Sequence, residues 1–390
     1  MNATRLRMSN KHLIPFVGFG TTEVQARPAI VFVGRRRPKT NNPVATKGRS
    51  KDEVLENKSD RHKPRGPNFI PDALQITMPD QLEESLNTAL DAGCRHIDTS
   101  FLSGTEHTVG QVVKRRIEGG LLSRKDLFIS TKLPPTAHRL KDVEKCLRES
   151  LRRLQTEYVD LFLVYLPCPV KNHGSFECPQ FYARHSSAEE EPIPLEDTWR
   201  GMEHVYDLGL AKAIGVCNFS LEQLMDLNAH ARIRPHNLQL EMHLHLPRND
   251  VALLATSLNI AVTAFAPLAE LSPLDHIALD DDLLMRLVAK YKRTPAQILL
   301  RHQIQRGVVV VFQAVTLSAI HNNLDVHSFS IDEDDMQALN DVEESDDTRL
   351  YRFDGSTSCC FLRHTGYPFT EVLDAYLEQK IYESHKITKV

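Results

Sequence analysis

Residues 93–133 read GCRHIDTSFLSGTEHTVGQVVKRRIEGGLLSRKDLFISTKL. Two short apolar, β-rich runs, His96–Ser100 and Leu127–Leu133, flank an amphipathic helical stretch over 106–117. A strand, a helix and a second strand in this order form a parallel βαβ unit, because a parallel neighbour is reached only through a crossover of a dozen or more residues. The pattern repeats along the chain. Strand runs recur at Val159–Leu166, Lys212–Asn218, Asn237–Met242, Ala261–Pro267 and Val308–Gln313, with helical patterns near 80–92, 141–154, 196–208, 220–229, 248–258 and 316–324. Ile14–Gly20 supplies one more strand, which makes eight. Eight such units in about 300 residues predict an α/β fold of the closed (β/α)8 TIM-barrel type. Helical patterns at 281–291 and 295–305 fall outside the regular repeat. A doubly wound sheet is the rival. It wants a Gly-rich phosphate turn after its first strand, and Gly18-Phe19-Gly20 is only a GxG followed by a charged loop.

Composition bounds the rest. The 390 residues carry 47 Lys+Arg against 51 Asp+Glu, a net of −4, so the chain as a whole is not a polyanion binder and no nucleic acid is expected. One segment departs from this. Arg27 to Arg65 holds twelve basic residues against four acidic, a net of +8, which leaves the remainder at −12. It is rich in Pro, Asn, Gly and Lys and is read as a disordered insert, 23–76, inside a single barrel domain spanning 1–376, with a tail over 377–390. Arg35-Arg36-Arg37-Pro38-Lys39 within it has the form of a nuclear-localisation or anionic-surface patch. Seven cysteines form no CxxC pair and no zinc spacing, which reads as reduced thiols in a cytosolic or nuclear setting. His243 and His245 form an HxH, but no metal is expected there. No apolar run approaches the ~18 residues of a membrane span, and the N-terminal residues have no signal-peptide core. A cytoplasmic location follows as the expectation.

Six motifs then become specific. GCRHIDTS (93–100), ISTKL (129–133), GVCNFS (215–220), QLEMH (239–243), AFAPL (264–268) and RGVVVVFQAVT (306–316) lie in the order and spacing of the aldo-keto reductase family, and HTGYPF (364–369) resembles the carboxy-terminal end of its members. The resemblance covers residues 11–22 and 77–370. It implies a (β/α)8 barrel with a C-terminal loop over its mouth, usually monomeric, that binds NADPH across the carboxyl ends of its strands and reduces small carbonyl compounds. It also implies a tetrad. A Tyr donates the proton, a Lys lowers that phenol's pKa from its usual ~10, an Asp pairs with the Lys, and a His orients the carbonyl.

Asp98 and Lys132 occupy the Asp and Lys positions. The Tyr position, five residues after Asp98, holds Ser103, and the first tyrosine in the chain is Tyr158. The His position holds Tyr165. Losing a positioned general acid costs ~10²–10⁴ in rate. The resemblance assigns cofactor binding to Asn218 and Gln239 at the carboxamide, to Phe265 under the nicotinamide, to Leu268, and to Asn323 near the adenine. Cys217 replaces a Ser that also bonds the carboxamide. The anchors of the 2′-phosphate read Gln313, Ala314 and Ala319. Charge-assisted contacts of that kind contribute ~1.5–3 kcal/mol each, so NADPH binds weakly if at all and NADH suffers less. Positions that line an aromatic substrate pocket read Thr22, Pro134 and Leu166, so no aromatic-walled pocket is expected.

Two functions follow. The first is a divergent homologue, catalytically dead or weak, whose barrel binds a small-molecule carbonyl ligand or a protein partner. The second is a cytosolic NAD(P)H-dependent aldehyde or ketone reductase with Tyr165 as a relocated proton donor. The bland reading of Tyr165 is a filler whose hydroxyl finds Lys132 or Asp98.

Overall fold

The computed structural model describes residues 5–21, 78–178, 188–269, 282–344, 348–354 and 360–369. The basic insert, Thr22, Cys359 and the tail lie outside these residues.

The eight parallel strands close into a barrel, in the order β10-β3-β4-β5-β6-β7-β8-β9. They are β3 (Val17–Gly20), β4 (His96–Asp98), β5 (Phe128–Leu133), β6 (Leu161–Val164), β7 (Ile214–Cys217), β8 (Asn237–Glu241), β9 (Ala261–Phe265) and β10 (Val309–Phe312). The register is continuous around the ring, from Gly20↔Asp98 and Asp98↔Ser130 to Val311↔Phe265 and Val311↔Gly18. Strands β3 to β8 and β10 are buried along their whole length, as a sheet covered on both faces requires.

Helices pack outside because their apolar residues recur on one face. In α1 (Met78–Asp91), Leu86, Ala89 and Leu90 are buried. In α2 (Glu106–Glu118), Val109, Val112 and Val113 are buried; in α3 (Leu140–Leu154), Val143, Cys146, Leu147, Leu151 and Leu154 are. These spacings of three and four make one stripe per helix, and each fully buried aliphatic side chain contributes ~1.5–3 kcal/mol. Gly110 is required by close packing of α2 on α3, since a Cβ there would lie 2.3 Å from the Arg153 carbonyl oxygen. The succession continues with α4 (Leu195–Asp207), α5 (Leu221–His230), α6 (Asn249–Ser257), α7 (Asp282–Tyr291), α8 (Pro295–Gln305) and α9 (Leu317–Leu324). Both α7 and α8 fall between β9 and β10, so the extra helix read from the sequence is real.

Two features correct the sequence reading. Ile14–Gly20 is not one strand. Its first part, β2 (Leu13–Pro15), pairs antiparallel with β1 (Arg5–Arg7), and only Val17–Gly20 enters the barrel. Pro15 has no N–H to continue a ladder, and the chain changes partners there. The hairpin closes the amino-terminal end of the barrel. The His12 ring stacks on Phe128 and its Nε2 lies 3.2 Å from Asp160, while Asn10 donates to the Lys212 carbonyl. The second feature is α10 (Glu333–Asn340), capped by Asp332 accepting from the Asp335 N–H, which packs with α7 and α8 into a satellite cluster.

Candidate active site at the carboxyl ends of the strands

Asp98 is the last residue of β4, Lys132 the next to last of β5, Cys217 the last of β7 and Phe265 the last of β9. Strand ends therefore bring these residues to one mouth, where barrels of this type carry their chemistry. Lys132 Nζ donates to Asp98 Oδ2 at 2.6 Å and to the Thr99 carbonyl at 2.9 Å. Asp98 Oδ1 accepts from Ser130 Oγ at 2.5 Å and from Gln239 Nε2 at 3.1 Å. Cys217 Sγ donates to Gln239 Oε1 at 3.7 Å. Both side chains of the ion pair are 6% exposed. Burial alone pushes the Asp98 carboxyl up, but the Lys132 charge and the hydrogen bonds from Lys132 and Ser130 outweigh it and hold the group below the ordinary carboxylate range. Burial pushes the Cys217 thiol up to about 12, so at neutral pH it is a donor and no nucleophile.

Ser103 has a local structural role. Residues Phe101–Ser103 form one turn of 3₁₀ helix in which Ser100 and Ser103 cap each other: Ser103 N donates to Ser100 Oγ at 3.1 Å, and Ser100 N donates to Ser103 Oγ at 3.3 Å. The single hydroxyl proton of Ser103 goes to the Ser100 carbonyl at 2.6 Å, and its oxygen lies 2.8 Å from the Thr105 hydroxyl. Thr105 in turn contacts the Thr99 and Thr21 hydroxyls at 3.1 and 3.2 Å. Gly104 ends the turn with φ 70°, a left-handed conformation that suits glycine. The hydroxyls of this loop bond to one another and to its backbone.

The Tyr165 ring packs in an apolar cluster, and neither Lys132 nor Asp98, the partners expected for its hydroxyl, bonds it. The Tyr165 backbone N–H donates to the Leu133 carbonyl, and Asn218 Nδ2 donates to its carbonyl at 3.1 Å. Its ring meets Phe353 edge-on at 6.4 Å, in an apolar cluster with Leu166, Cys168 and Val170. Among the described residues, the Lys132 ammonium bonds only a carboxylate and a backbone carbonyl, and the Asp98 carboxylate bonds only Lys132, Ser130 and Gln239.

The remaining site residues are placed as follows. Asn218 adopts φ 58° directly after β7, and its N–H bonds the Gln239 carbonyl. Phe265 is half-buried and meets Tyr351 edge-on at 5.3 Å. Leu268 is half-buried between the main core and the α7–α8 cluster. Asn323 is buried on α9. Gln313 is exposed, Ala314 and Ala319 are half-buried, and Val315 and Leu317 beside them are exposed at 56% and 63%. Thr316 caps α9 itself by accepting from the Ala319 N–H. Pro134 and Leu166 are buried, and Thr22 lies outside the described residues. His243 is buried with its Nε2 3.4 Å from Glu241 Oε1, and no metal-holding group of His, Cys, Asp or Glu occurs among the described residues.

Sequence reasoning expected a C-terminal loop over the barrel mouth but named none of the residues that make it. Tyr351 packs on Phe265 at the end of β9, and Phe353 packs on Tyr165 after β6, so Tyr351–Phe353 crosses the mouth. Glu241, 3% exposed at the end of β8, fixes this crossing by accepting the Leu350 and Tyr351 N–H groups at 2.7 and 3.0 Å. Aromatic residues therefore do reach the mouth, from positions other than 22, 134 and 166. Two aromatics two residues apart in TRLYRFD (348–354) were the only signal, and they carry no period.

Comparison with known proteins agrees with this architecture. Residues 72–344 match the model of the aldo/keto reductase family. Aldo-keto reductase family 1 member C18 of Rattus norvegicus is 35% identical over 296 residues, covering 74% of this chain and 88% of that protein. The aldose reductase of Schistosoma japonicum superposes with a TM-score of 0.72 at 28% identity, over 95% of this chain and 99% of that one. The aldo-keto reductase AKR2E5 solved as a complex with NADPH gives 0.72 at 28% identity, over 94% of each chain. The chain belongs to the aldo/keto reductase family. Among its described residues no helix is long and apolar enough to cross a membrane.

Proposed function

We propose that this chain is a divergent aldo-keto reductase whose barrel binds a ligand or partner and reduces carbonyl compounds weakly or not at all. One observation carries the reading: among the described residues, the Lys132 ammonium donates to no side-chain hydroxyl. Carbonyl reduction needs a proton donor at the oxygen as hydride reaches the carbon, and the neighbouring cation serves that step by making a hydroxyl more acidic. Here the cation is bonded to Asp98 and Thr99, the Ser103 proton is committed to Ser100, and the Tyr165 ring lies against Phe353.

The nucleotide follows the same division. Asn218, Gln239, Phe265, Leu268 and Asn323 are the residues that would hold a nicotinamide dinucleotide, which supplies hydride when bound. The half-exposed Phe265 ring and the buried Asn323 fit such a group. The neutral Gln313, Ala314 and Ala319 do not fit a 2′-phosphate, so NADPH binds weakly and NADH is the better tolerated form. The protein acts as a cytoplasmic monomer in this reading. The test is a nucleotide titration followed by an aldehyde panel: micromolar NADPH affinity together with ordinary reductase turnover overturns the reading.

A further inference from the structure

The end of the barrel opposite the mouth is basic. It consists of residues 5–15 and the loops that lead into β4 to β10, at 92–95, 119–127, 155–160, 208–213, 231–236, 258–260 and 306–308. These carry ten Lys and Arg against three Asp and Glu, although the chain outside Arg27–Arg65 sums to −12. Acids at the adjoining helix ends add little, because Asp91, Glu118 and Asp207 are paired with Arg116, Lys114 and Arg232. Asp160 is taken up by Arg124 and His12. Arg5, Arg7, Lys11, Lys125, Lys212 and Arg234 are exposed and form no salt bridge among the described residues. Like charges gathered without partners repel one another and contribute nothing to the fold. Three apolar side chains share this end: Leu13 on the hairpin, Leu121 after α2 and Leu208 after α4, exposed at 40%, 66% and 47%.

We infer that this face docks on an anionic bilayer surface, with those six cations over the lipid headgroups and the three leucines entering the interface, while the mouth points to solvent. A cytoplasmic protein meets such charge on the inner leaflet, and each Lys or Arg near it strengthens binding about fivefold. The negative remainder of the chain does not cancel this. The far end of the barrel lies about 20 Å away, the length of a helix such as α3, and at ~0.1 M salt the field decays within ~10 Å. Nucleic acid fits less well. Phosphates alone leave the leucines in water, and unpaired bases need a free aromatic face on which to stack. The Tyr158 ring at this end is already covered by Arg124 and Lys212, at 4.1 and 4.8 Å from its centre. The surface is remote from the mouth and serves a weak reductase or a binding barrel equally.

Flotation of the full chain with vesicles at about 0.1 M salt tests this. One set is equimolar phosphatidylserine and phosphatidylcholine, the other phosphatidylcholine alone. The expected result is at least about tenfold stronger binding to the anionic set. Lys125→Gln/Arg234→Gln should lower that binding about twentyfold, and Leu121→Gln/Leu208→Gln about tenfold or more. All four side chains are exposed, so both variants should keep the wild-type unfolding midpoint. Equal binding of the wild type to both sets, or to neither, overturns the inference without any variant. Anionic binding that survives Lys125→Gln/Arg234→Gln also overturns it, since the basic stretch Arg27–Arg65 would then suffice. A leucine variant that binds like the wild type overturns it too, and equal affinity for a duplex oligonucleotide would then assign the face to nucleic acid.

Discussion

Lys132 and Asp98 form an ion pair of 2.6 Å with both side chains 6% exposed, and the carboxylate is held from its other side by Ser130 and Gln239. Removing one partner strands the other charge in the interior. Lys132→Met alone is expected to destabilise the barrel by ~3–5 kcal/mol, whereas Asp98→Asn/Lys132→Met recovers most of that loss. Urea unfolding of the two variants checks this. A single variant as stable as the wild type would show that the pair is solvated.

Ser103 supports its loop through bonds to Ser100 and Thr105. Ser103→Ala removes a reciprocal cap and a hydroxyl bonded to Ser100 and Thr105, and should cost ~1–2 kcal/mol. Restoring the expected pair with Ser103→Tyr/Tyr165→His must break the same cap, so the substituted chain is expected to be less stable and no better than weakly active. Substantial aldehyde turnover in that variant would show that the loop yields easily and that the rest of the site is competent.

Tyr165 provides a direct check on the relocated-acid alternative. Its ring lies on Phe353, and Lys132 does not bond it. Any residual reduction measured in Tyr165→Phe should equal that of the wild type within twofold. A fall of ~10² or more would make the phenol the proton donor.

Three buried histidines set an acid limit on stability. Burial pushes His96 down to about 4, His138 to about 3 and His302 to about 4. In the unfolded chain each titrates at ~6.5. Below that pH the unfolded state takes up protons that the folded state refuses, so stability falls by ~1.4 kcal/mol per pH unit for each histidine as pH drops from ~6.5, down to ~4 for His96 and His302 and to ~3 for His138. Urea midpoints across that range test it, and His96→Gln should remove one histidine's share of the slope. A flat profile would show that these rings are hydrated.

The fold was legible because strand and helix periods alternate: β4 to β10 begin within two residues of the sequence reading, since apolar runs bounded by turns leave little choice. The hairpin was not legible, because Leu13-Ile14-Pro15 runs without a break into the first barrel strand, and only the antiparallel partner Arg5–Arg7 reveals the change. Asp98, Lys132 and Asn218 sit at or beside a strand end, where sequence position fixes direction, and Gln239 reaches Asp98 from the middle of β8. The roles of Glu241, Tyr351 and Phe353 were hidden, because they depend on a contact between β8 and a segment more than a hundred residues later. No local pattern encodes such a contact. Tyr165 shows the same limit. Its identity was read, but its partner Phe353 was not.

The central claim is that the cation at the mouth activates no hydroxyl for carbonyl reduction. Its most direct test is the steady-state oxidation of saturating NADH and NADPH by the full chain with a panel of aldehydes, in the wild type and in Asp98→Asn/Lys132→Met. The account predicts rates near the buffer background that do not differ between the two proteins. Turnover well above background that is lost in the variant would contradict it.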